Sequence, residues 1–427
     1  MATQTLAAFD AALKELYVGP IIEQMNQKSY ALDQFERDTD SIEHRGRRAI
    51  VPVHKNRNRG RKSGADGATL PTAGAQVELD AIVPIRYHYT GIELTDAVIE
   101  ASKTSEGAFI SALDLETKGV ANDMRKDINR QIFGQGTGAL CTEASSTGGV
   151  KKTSKAFKLE FLNELDVQYI QVGDTIDVLK EATGETANGI VGAEVTAKKV
   201  ASTTEVTLSK ELTAELAAET YNVYISGSRN NEMDGLRNIT ANERTLHSIN
   251  SATAGNAFWK GNTRKAGSAT NAPAVAGESL FEQLADDVGT QGNGDVEVFL
   301  TSRGVRRRLA DSYQSQKRFN DAKAVDVHGG YSAIMVNEVP VVADDDCPKG
   351  YAFGINKSAL KIFEQTKPGW LEPPGSSTMF QMKTVGTGIY AAIYQGWWRW
   401  YMALGSVAPN RTGRIEFCTD DAPVAVV

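Results

Sequence analysis

Apolar residues recur at more than one period along this chain, and each change of period marks a new element. Over residues 1–42 the spacing is helical: Leu6, Phe9, Leu13 and Leu16, then Ile22 and Met25, then Leu32 and Phe35. Gly19-Pro20 interrupts it, because proline cannot continue the preceding turn, and helices this short do not fold alone. Two strand-like runs follow, "AIVPV" (49–53) and "QVELDAIVPI" (76–85). The intervening "HKNRNRGRKSGADGATLPTAG" (54–74) passes from dense positive charge into Gly, Ala and Pro, so residues 49–85 are expected to form a hairpin with a basic tip. "YHYTGIELTD" (87–96) alternates like a strand with one wet face. A long helix is predicted over 105–133, striped by Phe109, Leu113, Val120, Met124, Ile128 and Ile132, with Arg125, Lys126, Asp127 and Arg130 on its other faces. Ser105 is placed to cap it and Gly134 to stop it.

The texture then changes. "GQGTGALCTEASSTGGVKKTSK" (134–155) reads as a linker, and residues 157–228 hold short strands at near-regular spacing: "VQYIQV", "DTIDVL", "NGIVGAEVTAKKV", "TEVTLS" and "YNVYISG". That spacing predicts a small antiparallel barrel or sandwich, inserted into an otherwise mixed chain. From residue 229 helix and strand alternate. A polar loop (240–277) leads to a helix bearing Leu280, Phe281, Leu284 and Val288 on one side. "DVEVFLTS" (295–302) is a strand, and Ser302 caps a helix carrying Val305, Leu309 and Tyr313. "AIMVNEVPVV" (333–342) reads as a hairpin, followed by the strands "YAFGI" and "LKIFEQT" and an aromatic-rich alternating end. The fold class expected is α+β.

Composition narrows the function. The chain has 427 residues, 41% hydrophobic and 23% charged, enough for several globular cores. Net charge is −7, yet residues 45–62 carry eight cations (Arg45, Arg47, Arg48, Lys55, Arg57, Arg59, Arg61 and Lys62) and no acid. A basic arm on an acidic body is self-complementary when many copies meet. Three scattered cysteines, Cys141, Cys347 and Cys418, exclude a disulfide framework and a CxxC metal site, and fit reduced thiols. A secretory signal is not expected from the first residues, and no run reaches the ~20 apolar residues a membrane span needs.

No catalytic set converges. His44, His54, His88, His247 and His328 lie apart without an HExxH pattern. "ADDDC" (343–347) lacks the alternating ligands and glycine of a calcium loop, and reads as a solvated acidic turn. "GQGTG" (134–138) follows a helix rather than a strand, and "VGTGIYA" (385–391) has too little chain after it for a dinucleotide fold. Trp397, Trp398, Trp400 and Tyr401 read as core or interface rings on a strand rather than a base-stacking platform. No cofactor is expected.

The hairpin is the informative element. Its nonpolar side chains are few: Ile50, Val51, Val53, Leu70, Val77, Leu79, Ile82, Val83 and Ile85. They return less than the backbone entropy of ordering that length of chain, and isolated hairpins are marginal in water. The element is therefore expected to be either floppy or ordered by surface from another chain, and the charge pattern points to identical neighbours. Read differently, the cations at 45–62 would neutralise phosphates as a nucleic-acid-binding segment, although no aromatic ring lies between residues 45 and 75 to stack on bases.

An arm, a projecting hairpin, a long helix and a mixed α/β region in that order resemble the major capsid proteins of tailed bacteriophages with the Hong Kong 97-type fold. The stretches that carry the likeness are "VPIRYHYTGIELTDAVIEAS" (83–102), "GGYSAIMVNEVPVVADDDCPKGYAFGINKSALKIFEQ" (329–365) and "WRWYMALGSVAPNRTGRIEF" (398–417). The resemblance implies an N-terminal arm at 1–48 and an extended loop at 49–85. It implies a peripheral domain at 86–136 and 378–404 around a spine helix at 105–133, an inserted β domain at 150–228, and an axial domain at 229–377 and 405–427. It also implies a non-enzymatic subunit that assembles as hexamers and pentamers into an icosahedral shell around phage double-stranded DNA. Contact with that DNA would be at most non-specific, and assembly would occur in the host cytoplasm. Because the arm is short, a separate scaffolding protein is expected, with a portal and a decoration protein as further partners and no membrane. The eight cations would be inter-subunit contacts, and Lys55 and Lys62, the loop's lysines, are the candidates for the cross-link some relatives form. A nanocompartment shell of the encapsulin kind is the alternative within this fold.

Overall fold

The structure is a computed structural model. It describes residues 29–38, 48–58, 60–103, 106–140, 157–160, 167–180, 183–184, 190–199, 205–211, 221–269, 272–313, 325–327, 331–372, 380–386 and 389–420. The arm helices expected before residue 29, the cap at Ser105, most of the 134–155 linker, Cys141, His44 and His328 lie outside them.

The chain is mixed α+β. A short helix, α1 (Tyr30–Gln34), runs into β1 (Glu36–Asp38), and β2 (Arg48–Asn56) pairs antiparallel with β3 (Val77–Pro84). Then come β4 (Arg86–Thr95), α2 (Asp96–Lys103) and the spine helix α3 (Glu106–Ile132), which at about 1.5 Å per residue is about 40 Å long. The spine ends by tightening its last turn, Phe133 N–H donating to Arg130 O and Gly134 N–H to Gln131 O. "GQGTG" is then a chain reversal. Gly136 has φ +80°, and a Cβ there would lie 2.5 Å from Asp234 Oδ1, so only glycine fits.

Five strands follow: β5 (Lys158–Glu160), β6 (Thr175–Lys180), β7 (Ile190–Lys199), β8 (Glu205–Leu208) and β9 (Tyr221–Ile225). They form one antiparallel sheet in the order β5-β8-β7-β6-β9 around their own core of Ile176, Val178, Val195, Val206 and Val223. Among the described residues its ladder is an open path, not a closed barrel. The expected strand "VQYIQV" is a turn: Val167 and Ile170 are both fully buried, three residues apart, and Ile170 N–H donates to Val167 O. Period three rather than two governs there, and the apolar run misled the strand reading.

Beyond it come α4 (Leu236–Ile239), the two-residue strands β10 (Thr245–Leu246) and β11 (Ile249–Asn250), and β12 (Asn262–Lys265). Helix α5 (Glu278–Gly292) buries Phe281, Leu284 and Val288 and ends on a left-handed Asn293. After β13 (Val298–Thr301), Ser302 Oγ accepts from Val305 N–H and starts α6 (Arg303–Ser312). Next are β14 (Val325–Val327), β15 (Tyr331–Val336), β16 (Val339–Ala343) and β17 (Ala352–Ile355). Asn337 and Glu338, both at positive φ, make the two-residue β15–β16 turn. The end of the chain supplies β18 (Leu360–Trp370), β19 (Gln381–Gly386), β20 (Ile389–Ser406) and β21 (Gly413–Glu416).

Two larger sheets organise the rest. One is seven-stranded, β12-β21-β17-β13-β16-β15-β14, with α5 packed on it. The other is built on the long β20, which pairs with β18 and β19 along one edge and with β4 along the other. "VGTGIYA" therefore belongs to the β19–β20 connection between two antiparallel strands. β1 joins this sheet parallel to β18, Glu36 opposite Lys361, which corrects the helical reading of residues 1–42 at that point. A ladder to a strand more than 300 positions away overrides local helix spacing.

One core joins the spine (Met124, Ile128, Ile132), α1 (Ala31, Leu32) and the β18–β20 pair to the foot of the hairpin (Ala49, Val53, Ala81, Val83). The hairpin thus does not depend wholly on other chains, as its sparse nonpolar content led us to expect; its foot is packed on its own subunit. Gly405 makes this packing possible, since a Cβ there would lie 2.5 Å from Phe363 Cε2 and 2.9 Å from Val83 Cγ2. Gly405→Ala is expected to cost about 1–3 kcal/mol through overpacking, read as a lower urea midpoint, with the foot of the hairpin losing hydrogen-exchange protection first.

Candidate assembly interface

The hairpin ladder runs from Arg48 opposite Pro84 to Asn56 opposite Val77. Alternation divides it: Ala49 and Val53 turn inward, while Ile50, Pro52 and His54 face solvent. Past Asn56 the described residues of both limbs continue without a strand partner, tied by scattered bonds. Asn58 Nδ2 donates to Gly74 O at 2.7 Å, Gly60 N–H to Asn58 Oδ1 at 2.7 Å, Ala68 N–H to Ala65 O at 3.0 Å, and Lys62 Nζ to Thr69 O at 3.3 Å. Residues 61–70 are all exposed, and Leu70 is 91% exposed.

The expected cations divide by position. Arg48 is exposed at the foot of the ladder, and half-buried Lys55 lies with its stem over Gly255. Arg57, Arg61 and Lys62 are exposed on the finger, and among the described residues none of them forms an ion pair. Arg45, Arg47 and Arg59 lie outside the described residues. The structure therefore brings Arg57, Arg61 and Lys62 together on one projecting element and sets Arg48 and Lys55 apart from them.

The aromatic end of the chain is structural. Trp400 Nε1–H donates to Glu364 Oε1 at 2.7 Å inside the core, Trp398 stands edge-on to Trp370 at 5.2 Å, and Trp397 lies over Gly91. Tyr89 and Tyr401 share a 2.9 Å hydroxyl contact at the surface.

Sequence reasoning failed most clearly at "ADDDC". It is not a solvated turn: Asp344 is 3% exposed and Asp346 7%. Asp344 Oδ2 accepts Ala31 N–H at 2.9 Å, and Asn129 Nδ2 donates to Asp346 Oδ2 at 2.7 Å and to Asp344 Oδ1 at 3.1 Å. Asn129 Oδ1 in turn accepts Leu32 N–H at 3.0 Å, and Lys126 Nζ sits 2.9 Å from Asp346 Oδ1. Asp345, the outward member, pairs with Arg303. From the turn that leads into β6, Tyr169 Oη donates to Asp346 O at 2.8 Å and Gln168 Nε2 to Cys347 O at 3.0 Å. Burial pushes Asp346 up to about 6 against the pull of Lys126, and pushes Asp344 up as well. Arg130, off the apolar stripe of the spine, is likewise buried, with Nη2 2.6 Å from Glu232 Oε1. The only local signal for the buried turn was the apolar "VPVV" directly before it. Its partners on the arm and the spine lie more than 200 residues away.

Among the described residues no group of three or more His, Cys, Asp or Glu side chains is placed to hold a metal ion. No family model matches the sequence, and no curated protein matches it. Solved structures do. The capsid asymmetric unit of cyanophage A-1(L) is similar at 12% identity and a TM-score of 0.53, over 95% of this chain and 96% of that one. The chain has the fold of a phage capsid protein.

Mycobacterium phage Bobi (11% identity, TM-score 0.47, 97% and 99% of the two chains) and the holo-SrpI encapsulin complex of Synechococcus elongatus (8%, 0.45, 98% and 96%) are more distant. On this capsid-protein fold the basic finger is an exposed outgrowth and the acidic turn a buried joint, and they respond to substitution in opposite ways. Replacing Leu70 by Ser, or Arg57, Arg61 and Lys62 together by Glu, is expected to leave subunit stability within about 0.5 kcal/mol, measured by urea unfolding. Asn129→Leu strips partners from Asp344, Asp346 and Leu32 N–H and is expected to cost about 2–3 kcal/mol in the same assay.

Proposed function

We propose that this protein is a non-enzymatic shell subunit, a major capsid protein whose work is to assemble with copies of itself around phage double-stranded DNA. The observation that carries this reading is the finger at residues 57–76: exposed among its described residues except for half-buried Gly60 and Pro71, basic, carrying an uncovered Leu70, and mounted on the fold of a capsid protein. A nonpolar side chain this exposed, beside cations that form no ion pair among the described residues, gains nothing in a lone subunit. Against a neighbour, Leu70 leaves water and Arg57, Arg59, Arg61 and Lys62 meet an acidic body whose net charge without residues 45–62 is −15.

In this reading residues 1–48 are the arm and 49–85 the extended loop. Residues 86–136 and 378–404 form the peripheral domain, 150–228 the insertion, and 229–377 with 405–427 the axial domain. Hexamers and pentamers close the shell in the virion, and a scaffolding protein, a portal and a decoration protein are the partners it implies. Arg45, Arg47, Arg48 and Lys55 contribute at the foot of the loop. DNA is enclosed rather than read, because the finger carries charge without stacking rings.

Electron microscopy of the expressed protein tests this. The wild type is expected to form closed shells or capsomers. Reversing Arg57, Arg59, Arg61 and Lys62 to Glu is expected to abolish them while each subunit keeps its far-UV circular dichroism. Normal particles from the reversed variant, or a wild type that shifts DNA without ever forming particles, would overturn the assignment.

A further inference from the structure

His247 sits in a strained turn. With Ser248 it connects β10 to β11 at φ +51° and +68°, left-handed angles that two-residue hairpin turns normally reserve for Asn, Asp or Gly. The turn lies inside the molecule: His247 is 3% exposed, and Trp259 stands edge-on to its ring at 6.4 Å. From this one residue, bonds run to two distant parts of the chain. His247 O accepts Ile82 N–H from β3, at the foot of the finger, at 2.9 Å. His247 Nε2 accepts Ser406 N–H from the end of β20 at 3.1 Å.

The second bond fixes the state of the ring. A backbone N–H can only donate, so Nε2 carries no proton and the ring's N–H is at Nδ1. Nδ1 stands 3.9 Å from Asp234 Oδ2, too far for a direct hydrogen bond. A second proton has only Nε2 to go to, where it would meet Ser406 N–H head-on.

We propose that His247 is an acid-released pin for the finger: while its ring is neutral it ties β3 to the end of β20, and a second proton on Nε2 undoes the tie. The apolar foot of the hairpin (Ala49, Val53, Ala81, Val83) is held separately in the core, so acid loosens one joint of the finger rather than its whole base. The pin acts within one subunit, and its test does not depend on shell assembly.

The charges around the ring do not reverse this. Asp234, just before α4, is held by Asn238 Nδ2 at 2.6 Å, and it draws a proton to Nδ1, where one already sits. Arg244, at the start of β10, repels a charged ring and is itself fixed by the carbonyls of Asn238, Ile239 and Trp259. Arg414 on β21 acts on Arg244, and Arg86 on β4 acts on Asp234. Lys260 pairs with Glu243, Asp80 on β3 is exposed, and residues 400–406 of β20 carry no charge. Burial and Arg244 together push the docked ring down to about 3.

The sign follows. A freed ring titrates at its ordinary 6.5. The hold is therefore complete above about pH 6.5 and is lost as pH falls from there toward 3.

The experiment is hydrogen exchange at the Ser406 and Ile82 amides of the dilute full chain, corrected for intrinsic rate, at about pH 7.5 and about pH 5. Wild-type protection is expected to fall about thirtyfold between them. His247→Gln, whose side-chain oxygen can take the same N–H and does not titrate, is expected to show equal protection at both. That variant keeps His88, whose ring burial likewise pushes down to about 4, so a pH response arising there would survive in it. In the wild type, ring nitrogen chemical shifts of His247 are expected to show the Nδ1–H tautomer at both pH values. Unchanged wild-type protection, a pH response kept in His247→Gln, or a proton found on Nε2 at pH 7.5 would each overturn the proposal. The nitrogen shifts decide the matter if the glutamine variant fails to fold.

Discussion

Backbone without partners sets the terms for this molecule. The ladder of the finger stops at Asn56 and Val77, and the two limbs beyond it are held by a handful of side-chain bonds. Main-chain groups that find no protein partner must be satisfied by water, and a segment of this kind gains order when another surface replaces that water. The foot of the same element is fixed in the subunit's core by Ala49, Val53, Ala81 and Val83. A rigid foot carrying an unsatisfied tip is a geometry suited to reaching outward, because the core fixes the direction of the reach without supplying its destination.

The spine helix supplies the fixed frame. Met124, Ile128 and Ile132 of its apolar stripe enter the main core, while Asn129 and Lys126, on another face, gather the Asp344–Asp346 turn and α1. The joint is made of polar groups that must all be satisfied at once, so it is stiff when complete and costly when any member is lost. Apolar packing at one face and a satisfied polar knot at another allow the arm, the spine and the five-stranded sheet to keep one relative placement.

Much of this was legible because it is local. The spine, α5, the Ser302 cap and the β15–β16 turn follow from periodicity, capping chemistry and an Asn at a left-handed position, all contained within short windows. The order of those elements carried the likeness to capsid proteins. What was illegible depends on distant partners. Glu36–Asp38 is a strand only because β18 lies beside it, and "ADDDC" is buried only because residues 31, 126 and 129 close over it. At Val167 and Ile170 the apolar run fits a turn or a strand equally well, and packing chose the turn. The cations of the finger were readable as a cluster, but only the structure separates Arg57, Arg61 and Lys62 from Arg48 and half-buried Lys55.

The central claim is that the finger acquires its order from other copies of the chain. Amide hydrogen exchange across residues 57–76, compared between dilute subunits and assembled material, measures this directly. The account predicts near-random-coil exchange in the isolated subunit, against protection in the assembly reaching that of the β2–β3 ladder. Slow exchange already present in the isolated subunit, or fast exchange persisting in assembled material, would contradict it.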